Sequence, residues 1–279
     1  MPDNPLSRYF RRPELYIDLP SKGKWYPPGS LDLPPNGEIP IMSMSGKDDL
    51  MLRNADGLMN GASTVEVIQS CCPNIKDAWK MPVIDLEKIF MALRIATYGN
   101  EMDFEFKCDA CNDVSDFSAD LSNLMQNTKF PDYSKPLDVD SLLIYLRPSD
   151  FASQNDTNQE RYAQQRTIQM LQASDLSEEE KLRKLQESLM GLTQITVRKM
   201  TDFIDYIITP EGERINDRRF IDEFVTNADQ KTYKAIKDGI TAKNAEYSIP
   251  DVDVACPSCQ TKAKRKFVFD PASFFGRGS

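Results

Sequence analysis

Two short cysteine pairs carry the sharpest chemical signal in this 279-residue chain: Cys108-Asp-Ala-Cys111 and Cys256-Pro-Ser-Cys259. A C-x-x-C turn presents two thiolates from one tight loop. Two such turns supply the four soft donors that a tetrahedral ion takes. Cys108, Cys111, Cys256 and Cys259 are therefore candidate metal ligands, with Zn2+ as the expected ion. Four protein ligands leave no open coordination position, so the site reads as structural rather than catalytic. The same thiolates suit an iron–sulfur cluster. A single pair suits a redox dithiol, although that chemistry usually sits at a helix N-terminus in a βαβ unit. Cys71 and Cys72 are adjacent on a helical stretch, and helix neighbours point about 100° apart. They read as buried free thiols.

The two pairs share a local pattern. Phe104-Glu-Phe106-Lys runs into Cys108, and Val252-Asp-Val254-Ala runs into Cys256. Each is an alternating strand entering a turn, so two β-knuckles are expected to meet face to face. Residues 112–255 intervene, far more than the ~15–20 of a compact zinc ribbon. Closure entropy grows only with the logarithm of loop length, so a folded insertion adds little cost. Metal binding of on the order of 10 kcal/mol or more would pin the base of that insertion. Zinc on four thiolates carries a formal charge of about −2, which Lys107, Lys262, Lys264, Arg265 and Lys266 would offset.

The elements around the pairs suggest an α+β fold in three parts. Nine of the eighteen prolines fall in the first 40 residues, among Tyr9, Phe10, Tyr16, Trp25 and Tyr26. Proline's fixed φ and missing N–H argue against long helix or inner strand there. Residues 1–38 read as an extended arm on its own domain or on a neighbour. Residues 39–125 and 245–279 read as the zinc-stapled base. It opens with a short edge strand at Ile39–Met42 and one or two helices between Lys47 and Asn74. A helix follows over Asp85–Ala96, with Leu86, Ile89, Phe90 and Leu93 at helical spacing. There Asp85 is a candidate cap and Gly99 a stop. Residues 126–244 read as a mainly helical insertion. It holds a strand at Leu142–Leu146, a helix over Arg161–Gln172 and a capping box Ser177/Glu180. The helix behind that box carries Leu182, Leu185, Leu189 and Leu192, then Met200, Phe203 and Ile207. Two more helices carry Phe220, Ile221 and Phe224, then Tyr233, Ile236 and Ile240. These stripes read as ordinary core packing.

Composition narrows the function. The chain has no histidine, which removes His-based triads, His general bases and His-containing metal sites. Twelve glycines and no phosphate-loop, dinucleotide or nucleophile-elbow motif leave no constellation that reads as an active site. A net charge of −9 repels phosphate backbones. A zinc-ribbon nucleic-acid adaptor would rest on Lys262–Lys266 with Phe267 and Phe269 alone. No apolar run approaches the ~20 residues that cross a bilayer. Met1–Arg12 lacks an apolar h-region, so a reducing compartment is expected, where disulfides are rare.

Several stretches resemble the baseplate hub and hub-assembly proteins of T4-like contractile-tailed bacteriophages. They are Leu19-Pro-Ser-Lys-Gly-Lys-Trp-Tyr-Pro27 with Ile39-Pro-Ile-Met42, and Leu93–Gly99 leading into Phe106–Cys111. The C-terminal knuckle with Asp270–Phe275 is consistent with them. The resemblance implies a non-enzymatic role in building the central hub of the baseplate. Hub, tube or tape-measure proteins would be the partners, in the virion tail or in the host cytoplasm during assembly. None of these motifs is catalytic, so no catalytic residue carries over.

Overall fold

The computed structural model describes residues 5–52, 61–172 and 177–267. The chain divides into two compact units, Met1–Phe130 with Ser248–Ser279, and Pro131–Tyr247. No helix among the described residues is long and apolar enough to cross a membrane.

The first unit opens with strand β1 (Pro13–Asp18) paired antiparallel to β2 (Glu38–Met42). Ile17 lies opposite Ile39 in this pair, and Ile17, Ile39 and Ile41 are buried. Pro40 is tolerated because each strand of a two-stranded ribbon has an outer edge, where a missing N–H breaks no ladder hydrogen bond. The described part of the proline-rich stretch packs within the first unit. Leu19 is fully buried. The Ser21 N–H and hydroxyl donate to the Asp85 carboxylate at 2.8 and 2.6 Å, and the Tyr26 hydroxyl donates to it at 3.0 Å. Lys22, Gly23 and Trp25 have positive φ. Gly23, at φ 75°, takes the left-handed region that glycine favours, and a Cβ there would meet the Leu33 side chain at 2.8 Å. The prolines set the turns of this segment, and its aliphatic side chains give it a core of its own to join.

Helices α1 (Gly46–Leu52), α2 (Ala62–Cys71) and α3 (Val83–Tyr98) follow. Residues 53–60, inside the stretch expected to be helical, lie outside the described residues. Arg11 ties the N-terminal segment to this layer, donating to Asp48 at 2.8 Å and to the Ser70 hydroxyl at 2.6 Å. Asp85 is not the cap of α3. Pro82 holds that position, and Asp85 sits buried in the first turn, where it gathers Ser21 and Tyr26. Burial pushes its carboxyl up to about 6 against those donors. Gly99, at φ 91°, ends the helix where the glycine predicts a stop. Strands β3 (Glu101–Lys107) and β4 (Val114–Asp120) then form a hairpin. Helix α4 (Leu121–Asn127) follows, capped by Asp120.

The second unit contains a four-stranded antiparallel sheet, β5 (Leu137–Val139), β6 (Leu142–Leu146), β7 (Ile204–Ile208) and β8 (Arg214–Ile215), in that order. Between β6 and β7 the chain makes α5 (Phe151–Gln172) and α6 (Glu178–Asp202), which pack on one another. Helices α7 (Arg218–Asn227) and α8 (Gln230–Ala245) complete it. Three expectations change here. Ile204–Ile208 is strand, not a continuation of the helix through Ile207, because β-branched residues dominate it and β6 offers a partner edge. The helix expected from Arg161 begins at Phe151, so the polar stretch before it is helical. Leu182, Leu189 and Phe220 are exposed rather than in a core.

The excursion from the first unit starts and ends at one β-bridge. Lys129 and Ser248 exchange two backbone hydrogen bonds, at 2.9 and 3.1 Å. Strands β9 (Val252–Ala255) and β10 (Lys262–Arg265) then make a last hairpin.

Candidate metal centre

Each cysteine pair occupies the turn of one of the two hairpins. Lys107 pairs with Val114 across the first and Ala255 with Lys262 across the second. Six residues therefore close each loop. The internal bonding matches position for position. Cys108 N–H donates to Asp113 O at 2.8 Å, and Cys256 N–H donates to Thr261 O at 3.0 Å. Asn112 N–H donates to Cys108 O at 2.9 Å, and Gln260 N–H donates to Cys256 O at 2.8 Å. Asn112 and Gln260, the fifth residue of each loop, share φ 59°. The one-turn wrap on the first cysteine, closed by a left-handed residue, aims both sulfurs of each turn to one side.

The strands place the two turns against one another. Alternation puts Phe104 and Phe106 on one face of β3, and Val252 and Val254 on one face of β9. Phe106, Cys108, Val254 and Cys256 form a buried cluster, with Phe104, Phe117, Val252 and Ala263 packed beside it. Phe106 meets Phe117 edge-on, with centroids 5.2 Å apart. Polar contacts cross between the hairpins as well. Arg265 donates to Asp109 at 2.6 Å and to Lys107 O at 3.3 Å, and its guanidinium lies 4.6 Å from the centroid of the Phe106 ring. The Ser258 hydroxyl donates to Asp113 at 2.6 Å, which with Ser115 holds that carboxyl below the usual range.

The result is a single group of sulfurs. Cys108, Cys111, Cys256 and Cys259, 145 or more residues apart across the two turns, lie within 4.8 Å of one another. The closest contacts run across the hairpins, Cys108 to Cys259 and Cys111 to Cys256, each 3.6 Å. A tetrahedron with metal–sulfur bonds of ~2.3 Å has edges of about 3.8 Å, so these donors could hold one metal ion with little movement. The separation is far beyond a disulfide bond of ~2.05 Å, and all four are free cysteines. Cys108 and Cys256 are buried, whereas Cys111 and Cys259 face solvent. The thiols differ in acidity. Hydrogen bonds from Thr261, side chain then backbone, draw Cys259 down to about 6. Cys111 rises to about 12, because the backbone hydrogen bond near Asp113 is outweighed by its sulfur neighbours and desolvation.

Neither turn opens a helix. Each leads into a strand, which is not the setting of a redox dithiol. Of the five cations expected to offset the thiolates, Arg265 is the one engaged across the hairpins, and Lys107, Lys262, Lys264 and Lys266 are exposed. Cys71 and Cys72 take no part. Both are fully buried, and burial pushes the Cys71 thiol up to about 12. Sequence reading missed Asp113, Ser258 and the reach of Arg265. The signal was present, because Asp113 stands five residues after Cys108 as Thr261 stands five after Cys256.

A family model described as T4 bacteriophage base plate protein matches residues 17–276. No curated protein and no solved structure matches the chain.

Proposed function

Because the chain belongs to the T4 bacteriophage base plate protein family, we propose that it is a non-enzymatic phage tail protein, a baseplate hub component or hub-assembly factor. It acts by binding other tail proteins, with hub, tube or tape-measure proteins as the partners. Its place is the virion baseplate, or the host cytoplasm while the tail is built. In this reading Cys108, Cys111, Cys256 and Cys259 hold a structural Zn2+, and the helix-rich segment 126–244 is an insertion presented to partners from a stapled base. Bound there, zinc supplies a tetrahedral cross-link and no open position for chemistry.

The gathering of four sulfurs within 4.8 Å supports the metal part of this reading. Sulfurs this close leave no room for several irons and sulfides between them, which favours one ion over a multi-iron cluster. The physical need is plain. Two-stranded hairpins are marginal alone, and among the described residues the cluster between these two is eight apolar and cysteine side chains with Arg265 over the Phe106 ring. A metal contributing on the order of 10 kcal/mol supplies what the apolar seam cannot.

Metal analysis of the protein purified without added metal tests the staple. One zinc per chain, lost in Cys108→Ser/Cys256→Ser, is expected. Iron with sulfide, or four thiols that all titrate freely, would overturn it. Mass spectrometry of purified virions tests the role. A fixed copy number marks a component. Absence from virions, with tails failing to form without the protein, marks an assembly factor. Absence with normal tails sinks both.

A further inference from the structure

The four sulfurs are not equally placed. Cys108 and Cys256, the first of each turn, are 2% and 1% exposed, whereas Cys111 and Cys259 face solvent. Each of the two short sulfur contacts joins a buried cysteine of one turn to an exposed cysteine of the other, Cys108 to Cys259 and Cys111 to Cys256, at 3.6 Å. Each contact thus sets a sulfur that a small oxidant can reach beside one that it cannot. A disulfide has an S–S bond of ~2.05 Å, so closing either contact takes a shift of about 1.5 Å. The hairpins also have ties that involve no sulfur. Arg265 donates to Asp109 and the Ser258 hydroxyl donates to Asp113, each at 2.6 Å. Phe106 and Val254 are buried in the same cluster. These ties keep the turns opposed while sulfur chemistry proceeds.

We propose that a peroxide closes these two contacts into disulfides across the hairpins, Cys108–Cys259 and Cys111–Cys256, so that covalent bonds take over the clamp from the metal. The inference rests on the zinc reading above only for the ion that is displaced. The first step falls on an exposed sulfur. Cys259 Sγ attacks hydrogen peroxide, the O–O bond breaks, and the sulfur becomes a sulfenic acid as hydroxide leaves. Cys108 Sγ, 3.6 Å away, attacks that sulfur. The S–S bond forms, the S–O bond breaks, and a second hydroxide leaves. Two protons from solvent turn both hydroxides into water, so one peroxide takes two electrons from one pair of thiolates. Cys111 and Cys256 react in the same way, and the ion leaves as Zn2+, its charge unchanged. A turn that closed on itself, Cys108 to Cys111 or Cys256 to Cys259, would leave the hairpins unjoined. Disulfides are rare in a reducing compartment and persist in an oxidising one. The same four residues thus join the hairpins in both, as thiolates around an ion or as disulfides.

Non-reducing peptide mapping of the full chain, treated with hydrogen peroxide, tests it. Trypsin places Cys108 and Cys111 in peptide 108–129, and Cys256 and Cys259 in peptide 244–262. The expected product joins both peptides and is lighter than their sum by four hydrogens. Hydrogen exchange over 252–265 should stay slow after oxidation, unlike after chelation. Two variants test the pairing, and each removes one cysteine from each turn, so loss of metal is common to both. Cys111→Ser/Cys256→Ser keeps an exposed sulfur beside a buried one and should still join the peptides. Cys111→Ser/Cys259→Ser keeps only the buried sulfurs and should join them about tenfold or more slowly. Three results would overturn the proposal: peptides that each close on themselves, sulfinic acids without a disulfide, or equal rates in the two variants. Metal analysis before oxidation separates the two readings. A zinc-free chain whose peptides still join overturns the staple and supports the pairing. A zinc-loaded chain whose turns close on themselves keeps the staple and overturns the pairing.

Discussion

The two cysteine hairpins have the same turn on unequal foundations. β3 and β4 are seven residues each, carry Phe104, Phe106 and Phe117, and lead directly into the capped helix α4. β9 and β10 are four residues each, and their contribution to the seam is Val252, Val254 and Ala263. Among the described residues, the first hairpin has aromatic bulk and a continuing element to rest on. The second leans on the first through the sulfurs, Val254 and Arg265. The same loop geometry can therefore sit in a self-supporting hairpin or in a dependent one. What separates them is buried apolar area.

With the proposed metal bound at the four sulfurs, removing it should expose that inequality most strongly. Chelation is expected to cost on the order of 10 kcal/mol of clamp stability. Hydrogen exchange should show residues 252–265 losing protection outright while 101–120 keep part of theirs. Equal loss in both hairpins would contradict the asymmetry. Next in size are the seam residues. Phe106→Ala should destabilise the first unit by about 3–5 kcal/mol, read from denaturant unfolding. Val254→Ala should cost about 2 kcal/mol. Despite its smaller cost, Val254→Ala should speed metal release to a chromophoric chelator at least as much, because its hairpin has less else to hold it.

Arg265 sharpens the comparison further, since it belongs to the dependent hairpin and grips the other. Arg265→Ala should cost about 1–2 kcal/mol, through a ring contact and a partly exposed ion pair. Arg265→Lys should restore little, because an ammonium cannot lie flat on Phe106 while reaching Asp109. Full recovery with lysine would mean that charge alone matters there. The smallest effect is expected at the left-handed loop positions. Gln260→Gly relieves a positive φ that glutamine disfavours, offset by glycine's extra chain entropy, for a net gain of about 0.5 kcal/mol or less. Asn112→Gly should change almost nothing, since asparagine already tolerates that region. Differential calorimetry on the two variants would show whether the gap has this sign.

Much of the site was legible because the two turns repeat. Strand alternation before each C-x-x-C, and the spacing within it, are local properties set by pleat and turn geometry. The α3 stripe and its glycine stop were legible for the same reason. Asp85 was not. A carboxylate at the start of a helix reads as a cap, and only the return of Ser21 and Tyr26 from 59 or more residues away turns it inward. Ile204–Ile208 was misread because an aliphatic run fits a helix stripe or a strand equally well, and the choice fell to the open edge of β6. The proline-rich start was legible only in part. Proline excludes long helices, but it does not exclude a ribbon strand with its own core to pack on.

The sequence by itself determined the local chemistry: four cysteines in two equal turns, no histidine, and an alternating strand ahead of each turn. These follow from neighbours a few residues apart, where backbone sterics and side-chain type decide the outcome. Only the tertiary structure decided that sulfurs 145 or more residues apart share one place and that Asp85 is buried under Ser21 and Tyr26. Such meetings depend on the packing free energy of the whole chain, and no short stretch of sequence contains that sum.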